Sequence, residues 1–276
     1  MTPKEYWLPQ SLAEALSLLA EHGPSLLVMA GGTLAMPLIN KGISIPEKVL
    51  GLRRAGLNYI HQADGSLRIG ATATLSQMLQ QKSIPVLQQA AHNVGSWAVR
   101  NMGTVGGNLF APPPAGDFTV ALLALDARVK LASRREERIV PLAEFYRGFM
   151  GTVLEPNELV VEFEVPRPKG MTTVVKHGRV HANTPAIVGV AVRVVKENGR
   201  VRDARIALNG VGPHPQRARN AEAAVMGSAL DAAAIAAAGD AAAQECEPFT
   251  DPIASEWYRR KMTGVFVRRA LTQVAQ

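Results

Sequence analysis

Residues 28–37 read VMAGGTLAMP, Val28 to Pro37, and residues 100–110 read RNMGTVGGNLF. In each stretch an apolar or helical segment runs into a pair of glycines beside a threonine. Glycine permits left-handed backbone angles and lacks the Cβ that would hold another group away from the chain. Successive free N–H groups in such a turn form a concavity for an anion. Glycine pairs also serve plain turns, so either cluster alone is weak evidence. Two clusters with polar neighbours, Thr33 in the first and Thr104 and Asn108 in the second, point to one phosphate-bearing ligand. Neither follows the dinucleotide pattern G-x-G-x-x-G or the phosphate-loop pattern G-x-x-x-x-G-K-S/T, so a nucleotide site here is of another kind.

The segments around these clusters read as α+β. Ser11 and Glu14 form an S-x-x-E capping box ahead of LAEALSLLAEH, and Gly23 ends that helix. SLLVMA, ending at Ala30, then reads as a short buried strand. LRIGA at 67–71 reads as another, and Thr74 or Ser76 caps a following helix. VLQQAAHNVGSWAV keeps apolar residues at helical spacing up to the second glycine cluster. After the proline-rich loop APPPAGD, FTVALLALDA reads as a helix that Asp117 is placed to cap. ARVKLAS and ERIVPL form a strand pair, and ELVVEFEVP at 158–166 alternates as a half-buried strand does. The Pro166-Arg167-Pro168 break marks a boundary. Beyond it lie three strands, TTVVKHG, AIVGVAVRVV and VRDARIALNG, the last two joined by a type I′ turn at Asn198-Gly199. Alanine-rich helices at 218–226 and 231–243 and a final helix from Ser255 complete the chain.

The 276 residues carry a formal net charge of +7, with 5% aromatics and a single cysteine. The basic residues are scattered without interleaved aromatics, which argues against nucleic acid as a partner. No apolar run approaches the roughly 20 residues of a membrane span. The start, MTPKEYWLPQ, lacks the apolar core of a signal peptide, so a reducing cytoplasmic setting is expected. Cys246 alone excludes a disulfide framework or a thiolate cluster held by this chain. His177 and His181 stand four apart, but two imidazoles without a carboxylate or thiolate do not make a metal site. No residue is marked as a catalytic acid, base or nucleophile.

Taken in order, AGGTLAMP, IGATATLSQM, RNMGTVGGNLF, PAGDFTVALLALDA, ELVVEFEVP, AIVGVAV, ALNGVGPHPQRA and EWYRRKMTGVFVRRAL resemble the FAD-binding medium subunit of the molybdenum hydroxylases. That family includes xanthine, carbon monoxide, nicotine and quinoline dehydrogenases. The resemblance implies the vanillyl-alcohol-oxidase-like (PCMH-type) fold: two α+β subdomains, 1–58 and 59–166, gripping FAD. It also implies a C-terminal domain, 167–276, with a three-stranded antiparallel sheet and a helical bundle. The cofactor residues it implies are Ala30, Gly31, Gly32, Thr33 and Leu34 in the first loop, and Thr104, Val105, Gly106, Gly107 and Asn108 in the second. Asp117 follows as a further contact. Leu159 or Val160 packs near the isoalloxazine, and Lys176 approaches its pyrimidine edge. A cation there stabilises the reduced ring, which carries negative charge.

The resemblance further implies partners: a large molybdopterin-binding subunit and a small subunit with two 2Fe–2S clusters, assembled as a dimer of heterotrimers. Electrons would pass from the clusters to FAD and on to an external acceptor. A stand-alone flavin oxidoreductase and a cofactor-free assembly protein of the same fold are the other readings. The chain departs from the family pattern at Leu34, where a serine or aspartate is usual, and at Asn183, Thr184 and Pro185, where acidic or aromatic residues often stand. The loop APPPAGD is also richer in proline.

Overall fold

The structure is a computed structural model that describes residues 3–180 and 183–276. His181 lies outside the described residues. The chain begins with a parallel three-stranded sheet, β1 (Glu5–Trp7), β2 (Leu26–Met29) and β3 (Lys48–Gly51), in the order β1-β3-β2. Helix α1 (Leu12–His22) packs on it, and α2 (Ala35–Asn40) follows the first glycine loop. Ser11 caps α1, accepting from the N–H of Glu14 at 3.1 Å, while the Glu14 carboxylate reaches back to the N–H of Gln10 at 2.7 Å. Ala15, Leu16 and Leu19 form the buried stripe of α1, and they meet Leu26, Leu50 and Leu52. Ala132, Leu159 and Val161 of the next unit share this core, so the two units pack as one body with a cleft between them.

The second unit is an antiparallel sheet with helices on one side. Its strands are β4 (Ile60–Ala63), β5 (Ser66–Gly70), β6 (Arg128–Ala132), β7 (Glu137–Pro141) and β8 (Leu159–Pro166), in the order β4-β5-β8-β6-β7. Ile69 and Val129 flank Phe163 across the central strand. Its helices are α3 (Leu75–Met78), α4 (Pro85–Asn93), α5 (Trp97–Met102), α6 (Val105–Leu109) and α7 (Asp117–Ala124). Thr74, not Ser76, caps α3, with Gln77 completing the box. The continuous helical spacing expected through VLQQAAHNVGSWAV breaks into α4 and α5, because Gly95 takes φ +51° and Ser96 caps a new start. All eight residues of α7 are buried, as expected of a helix that is apolar all round. It is sandwiched between α4 and the sheet of the third unit.

The third unit carries β9 (Met171–His177), β10 (Val188–Glu197), β11 (Arg200–Asn209) and β12 (Gln216–Arg217), in the order β12-β11-β10-β9. The three long strands are those read from the sequence. The fourth, two residues on the edge, is too short to leave a period of its own, so the sheet is four-stranded rather than three-stranded. Asn198 and Gly199 have φ of 51° and 77°, the type I′ turn expected there. Helices α8 (Arg219–Val225), α9 (Ala232–Glu245) and α10 (Glu256–Ala275) cover the sheet. Cβ atoms at Gly239 or Gly264 would sit 2.9–3.0 Å from the other's carbonyl oxygen, so these two glycines allow α9 and α10 to touch.

The second and third units are locked by charge. Asp126, just past α7, accepts from Arg193 on β10 at 2.7 Å, Arg205 on β11 at 2.9 Å and Arg217 on β12 at 3.0 Å. Buried Arg259 on α10 donates to the carbonyls of Ile187 at 2.7 Å and Gly210 at 2.9 Å. It also pairs with both oxygens of Asp251, at 2.8 and 2.9 Å. Among the described residues no helix is long and apolar enough to cross a membrane.

A cofactor cleft between two glycine loops

The cleft between the first two units opens into a cavity of about 590 Å³, within the usual range for a small-molecule site. Ala30 to Leu34 form one wall, and Thr104, Gly106, Gly107 and Asn108 face them. Asp117, Leu159 and Val160 also line it. Of the residues expected from the sequence, Val105 and Lys176 do not. Val105 is fully buried beneath the cleft, and its N–H donates to the Ala73 carbonyl at 2.9 Å.

The two glycine loops differ in what their amides do. In the second loop the N–H of Gly106 donates to Ala71 O at 2.9 Å, and that of Asn108 to Thr104 O at 3.0 Å. The N–H of Gly107 donates to Thr104 Oγ1 at 3.0 Å. The loop is therefore stitched to the Ala71–Thr74 segment, and its backbone donors are already used. In the first loop, the N–H groups of Gly31, Gly32, Thr33 and Leu34 find no acceptor among the described residues. Gly32 holds φ +74°, which turns the chain sharply there. Four adjacent free donors at the edge of a cavity make the kind of concavity that suits an anion.

The glycines have reasons beyond a ligand. A Cβ on Gly31 would lie 1.7 Å from Met102 O, and one on Gly106 would lie 2.7 Å from Ala71 O. Both glycines let one segment of chain touch another. The resemblance assigns them to the ligand; their contacts with Met102 and Ala71 carry no signal in the sequence, because the opposing backbones come from remote segments.

The charged end of the cleft is a relay of buried groups. Asn108 Oδ1 accepts from the N–H of Phe118 at 3.2 Å and of Thr119 at 3.1 Å, and from the Thr119 hydroxyl at 3.1 Å. Asn108 thus supplies the cap of α7 from a distance. The expectation that Asp117 itself caps this helix is corrected: Gly116, at φ +103°, occupies the cap position and Asp117 is the first helical residue. Its freed carboxylate pairs with Lys176 Nζ at 2.6 Å. Lys176 also donates to Asn93 O at 2.8 Å and stands behind Asp117 rather than on the cavity wall. Burial pushes the Asp117 carboxyl above its ordinary range, while the Lys176 ammonium and the Asn209 amide work against that.

Several wall residues carried no signal in the sequence. Val94, Gly95 and Val99 enter the wall because the helix breaks at Gly95. Glu158 joins them, held below the usual carboxylate range by Arg138, whose Nε and Nη2 both donate at 2.7 Å. Thr72 lines the cavity with a buried hydroxyl that has no partner among the described residues. Leu34 and the segment Asn183, Thr184 and Pro185 also reach the cavity, so the departures from the family pattern fall on its wall. His177 is remote from it: its Nε2 contacts Tyr258 Oη at 3.1 Å and its ring stacks on Phe266. No cluster of three or more potential metal ligands occurs among the described residues.

A largely apolar cavity, four unused amides, an orphaned hydroxyl and a half-buried cation behind a carboxylate suit a ligand that joins an aromatic ring system to a phosphate. Similarity to known proteins agrees. Residues 2–168 match the family described as the FAD binding domain in molybdopterin dehydrogenase, and residues 174–274 match the CO dehydrogenase flavoprotein C-terminal domain. The glyceraldehyde dehydrogenase medium chain of Sulfolobus acidocaldarius is 31% identical, with 100% of each chain covered. The carbon monoxide dehydrogenase medium chain of Hydrogenophaga pseudoflava is 32% identical, covering 97% of this chain and 95% of that one. Among solved structures, carbon monoxide dehydrogenase from Hydrogenophaga pseudoflava superposes with a TM-score of 0.95 at 33% identity, covering 99% of this chain and 97% of that one. Quinoline 2-oxidoreductase from Pseudomonas putida 86 superposes at 0.92 and 28% identity, covering 100% and 98%. The chain belongs to the FAD-binding medium subunits of the molybdenum hydroxylases, flavoprotein components of multi-subunit dehydrogenases.

Proposed function

We propose that this chain is the electron-transfer flavoprotein of its complex. FAD receives electrons from the 2Fe–2S clusters of a small partner subunit and delivers them to an external acceptor. A large partner subunit carries the molybdenum–pterin cofactor where substrate is oxidised. The complex is a dimer of such heterotrimers in the cytoplasm. The observation that carries this reading is the run of four unused amides, Gly31 to Leu34, facing the second glycine loop across one cleft. The single cysteine supports the division of labour, since a cluster needs several thiolates and must then come from a partner.

Bound FAD supplies one- and two-electron redox chemistry; the chain's own residues bind and orient. Ala30 to Leu34 donate backbone N–H groups to the pyrophosphate, and Thr33 and Thr104 add hydroxyls. Gly106 and Gly107 let the ligand approach, with Val105 anchoring their loop from below, and Asn108 holds that loop to Phe118 and Thr119 at the start of α7. Leu159 and Val160 pack against the ring. Lys176, held behind Asp117, places a positive charge near the ring's acceptor edge. In this division, units 1–58 and 59–166 grip the cofactor and 167–276 brings Lys176 to it.

The test is to purify the full chain, add FAD, remove the excess and record the visible spectrum. Retention of about one flavin per chain is expected, with its fluorescence altered on binding. A colourless protein with no measurable affinity, alone or co-expressed with its partners, would contradict the reading.

A further inference from the structure

Besides Asn183 to Pro185 on the cavity wall, the third unit meets the charged end of the cleft through one row of its sheet. Lys176 on β9, Gly189 on β10 and Asn209 on β11 are directly paired across the strands. Paired residues project from the same face, and the outer two stand about 10 Å apart, two strand spacings. The middle position has no side chain. A Cβ at Gly189 would lie 3.3 Å from Asn209 Cβ, tighter than an ordinary contact. Asp117 from α7 bridges the two outer residues. Its Oδ2 meets Lys176 Nζ at 2.6 Å, and its Oδ1 accepts from Asn209 Nδ2 at 3.2 Å. Asn209 is 1% exposed, and its second amide hydrogen goes to Pro114 O at 3.1 Å. Both amide protons are thus committed, and the carboxylate is gripped by one donor on each oxygen. Removing Asn209 would leave the carboxylate tethered only through the long, rotatable lysine side chain.

We propose that Asn209 is a positioning residue of the cofactor site: across the gap at Gly189 it fixes the Asp117 carboxylate, and through it Lys176, in the arrangement that the flavin meets. The inference rests on the reading of this cleft as the FAD site. It makes the C-terminal unit part of the cofactor's electrostatics as well as a cover for α7.

The test is an isosteric exchange in the full chain. Asn209→Asp sets two carboxylates against each other, and Asp117→Asn leaves Lys176 without its counter-charge. Each is expected to weaken FAD binding about tenfold, the scale of one hydrogen bond to a charged group. The exchange D117N/N209D restores one amide and one carboxylate across the 117–209 pair, and affinity is expected to return to within about threefold of native. Melting of the flavin-free protein is followed in parallel. A role confined to folding would lower Tm and leave the FAD dissociation constant of the folded protein unchanged, which overturns the inference. So would native affinity in N209D, or an exchange variant as weak as the two single effects multiplied. If N209D does not fold, Asn209→Ser, which removes the amide without adding charge, takes its place with the same expected loss, and native affinity in it overturns the inference. A native chain that binds no FAD would instead remove the reading on which the inference stands.

Discussion

Replacing Gly31 by alanine separates the two demands on the first glycine loop. The added Cβ would stand 1.7 Å from Met102 O and 2.7 Å from Met102 C. Both are backbone atoms at the end of α5, so no side chain can swing aside, and an ordinary contact requires a displacement of roughly 1.5–2 Å. Overpacking of this kind costs about 1–3 kcal/mol. For a chain of this length that lowers Tm by roughly 2–10 °C. The movement also carries the free amides of Gly31 to Leu34 away from the second loop, so FAD affinity should fall by at least about tenfold, the loss of one charge-assisted hydrogen bond. The control is Gly56→Ala, at φ +77° with nothing within 4 Å of its Cβ. It should cost about 1 kcal/mol in backbone strain and leave FAD binding intact. Calorimetry and fluorescence titration of both variants give the comparison. Unchanged Tm and native FAD affinity in Gly31→Ala would refute the reasoning, as would equal loss of affinity in both variants.

Three other outcomes are expected. Leu34→Ser restores a hydroxyl at the cleft wall and should tighten FAD binding about two- to tenfold, the value of one hydrogen bond, by fluorescence titration. Arg259→Met keeps the volume but strips the donors from Ile187 O and Gly210 O and leaves Asp251 unpaired, so it should cost about 3–5 kcal/mol in urea melts. Acid should weaken the fold. Glu158 is held below its ordinary 4.5 by Arg138, and Asp251, despite burial, is held below its ordinary 3.8 by backbone N–H groups and Arg259. For groups lowered by folding, the unfolded chain binds more protons in acid, so stability rises with pH. Their contribution should be complete above about pH 5 and disappear as pH falls through their depressed values, which urea melts from neutral to acid pH will show.

Local physics made most elements readable in advance. Ser11, Thr74 and Ser255 announce helix starts with their own side chains, and Asn198-Gly199 announces a hairpin. Strands of the third unit show apolar runs long enough to stand out. What stayed hidden depends on partners distant in sequence. Gly31 and Gly106 are glycine because Met102 and Ala71 come to lie against them. Asp117 is freed from capping because Asn108, nine residues earlier, takes over the N–H groups of α7. Val94 and Val99 reach the cleft only because Gly95 breaks a helix that apolar spacing alone would continue. Lys176 has the pattern of an ordinary strand lysine, and its burial follows from α7 packing on the sheet.

Hydrogen–deuterium exchange with and without FAD tests the central claim most directly. Peptides spanning Gly31 to Leu34, whose amides are free, should exchange fast without the cofactor and become protected when it binds. Peptides spanning Gly106 to Asn108, whose amides already have acceptors, should be slow in both states. Protection confined to the second loop, or no change at residues 31–34 with FAD bound, would contradict the account.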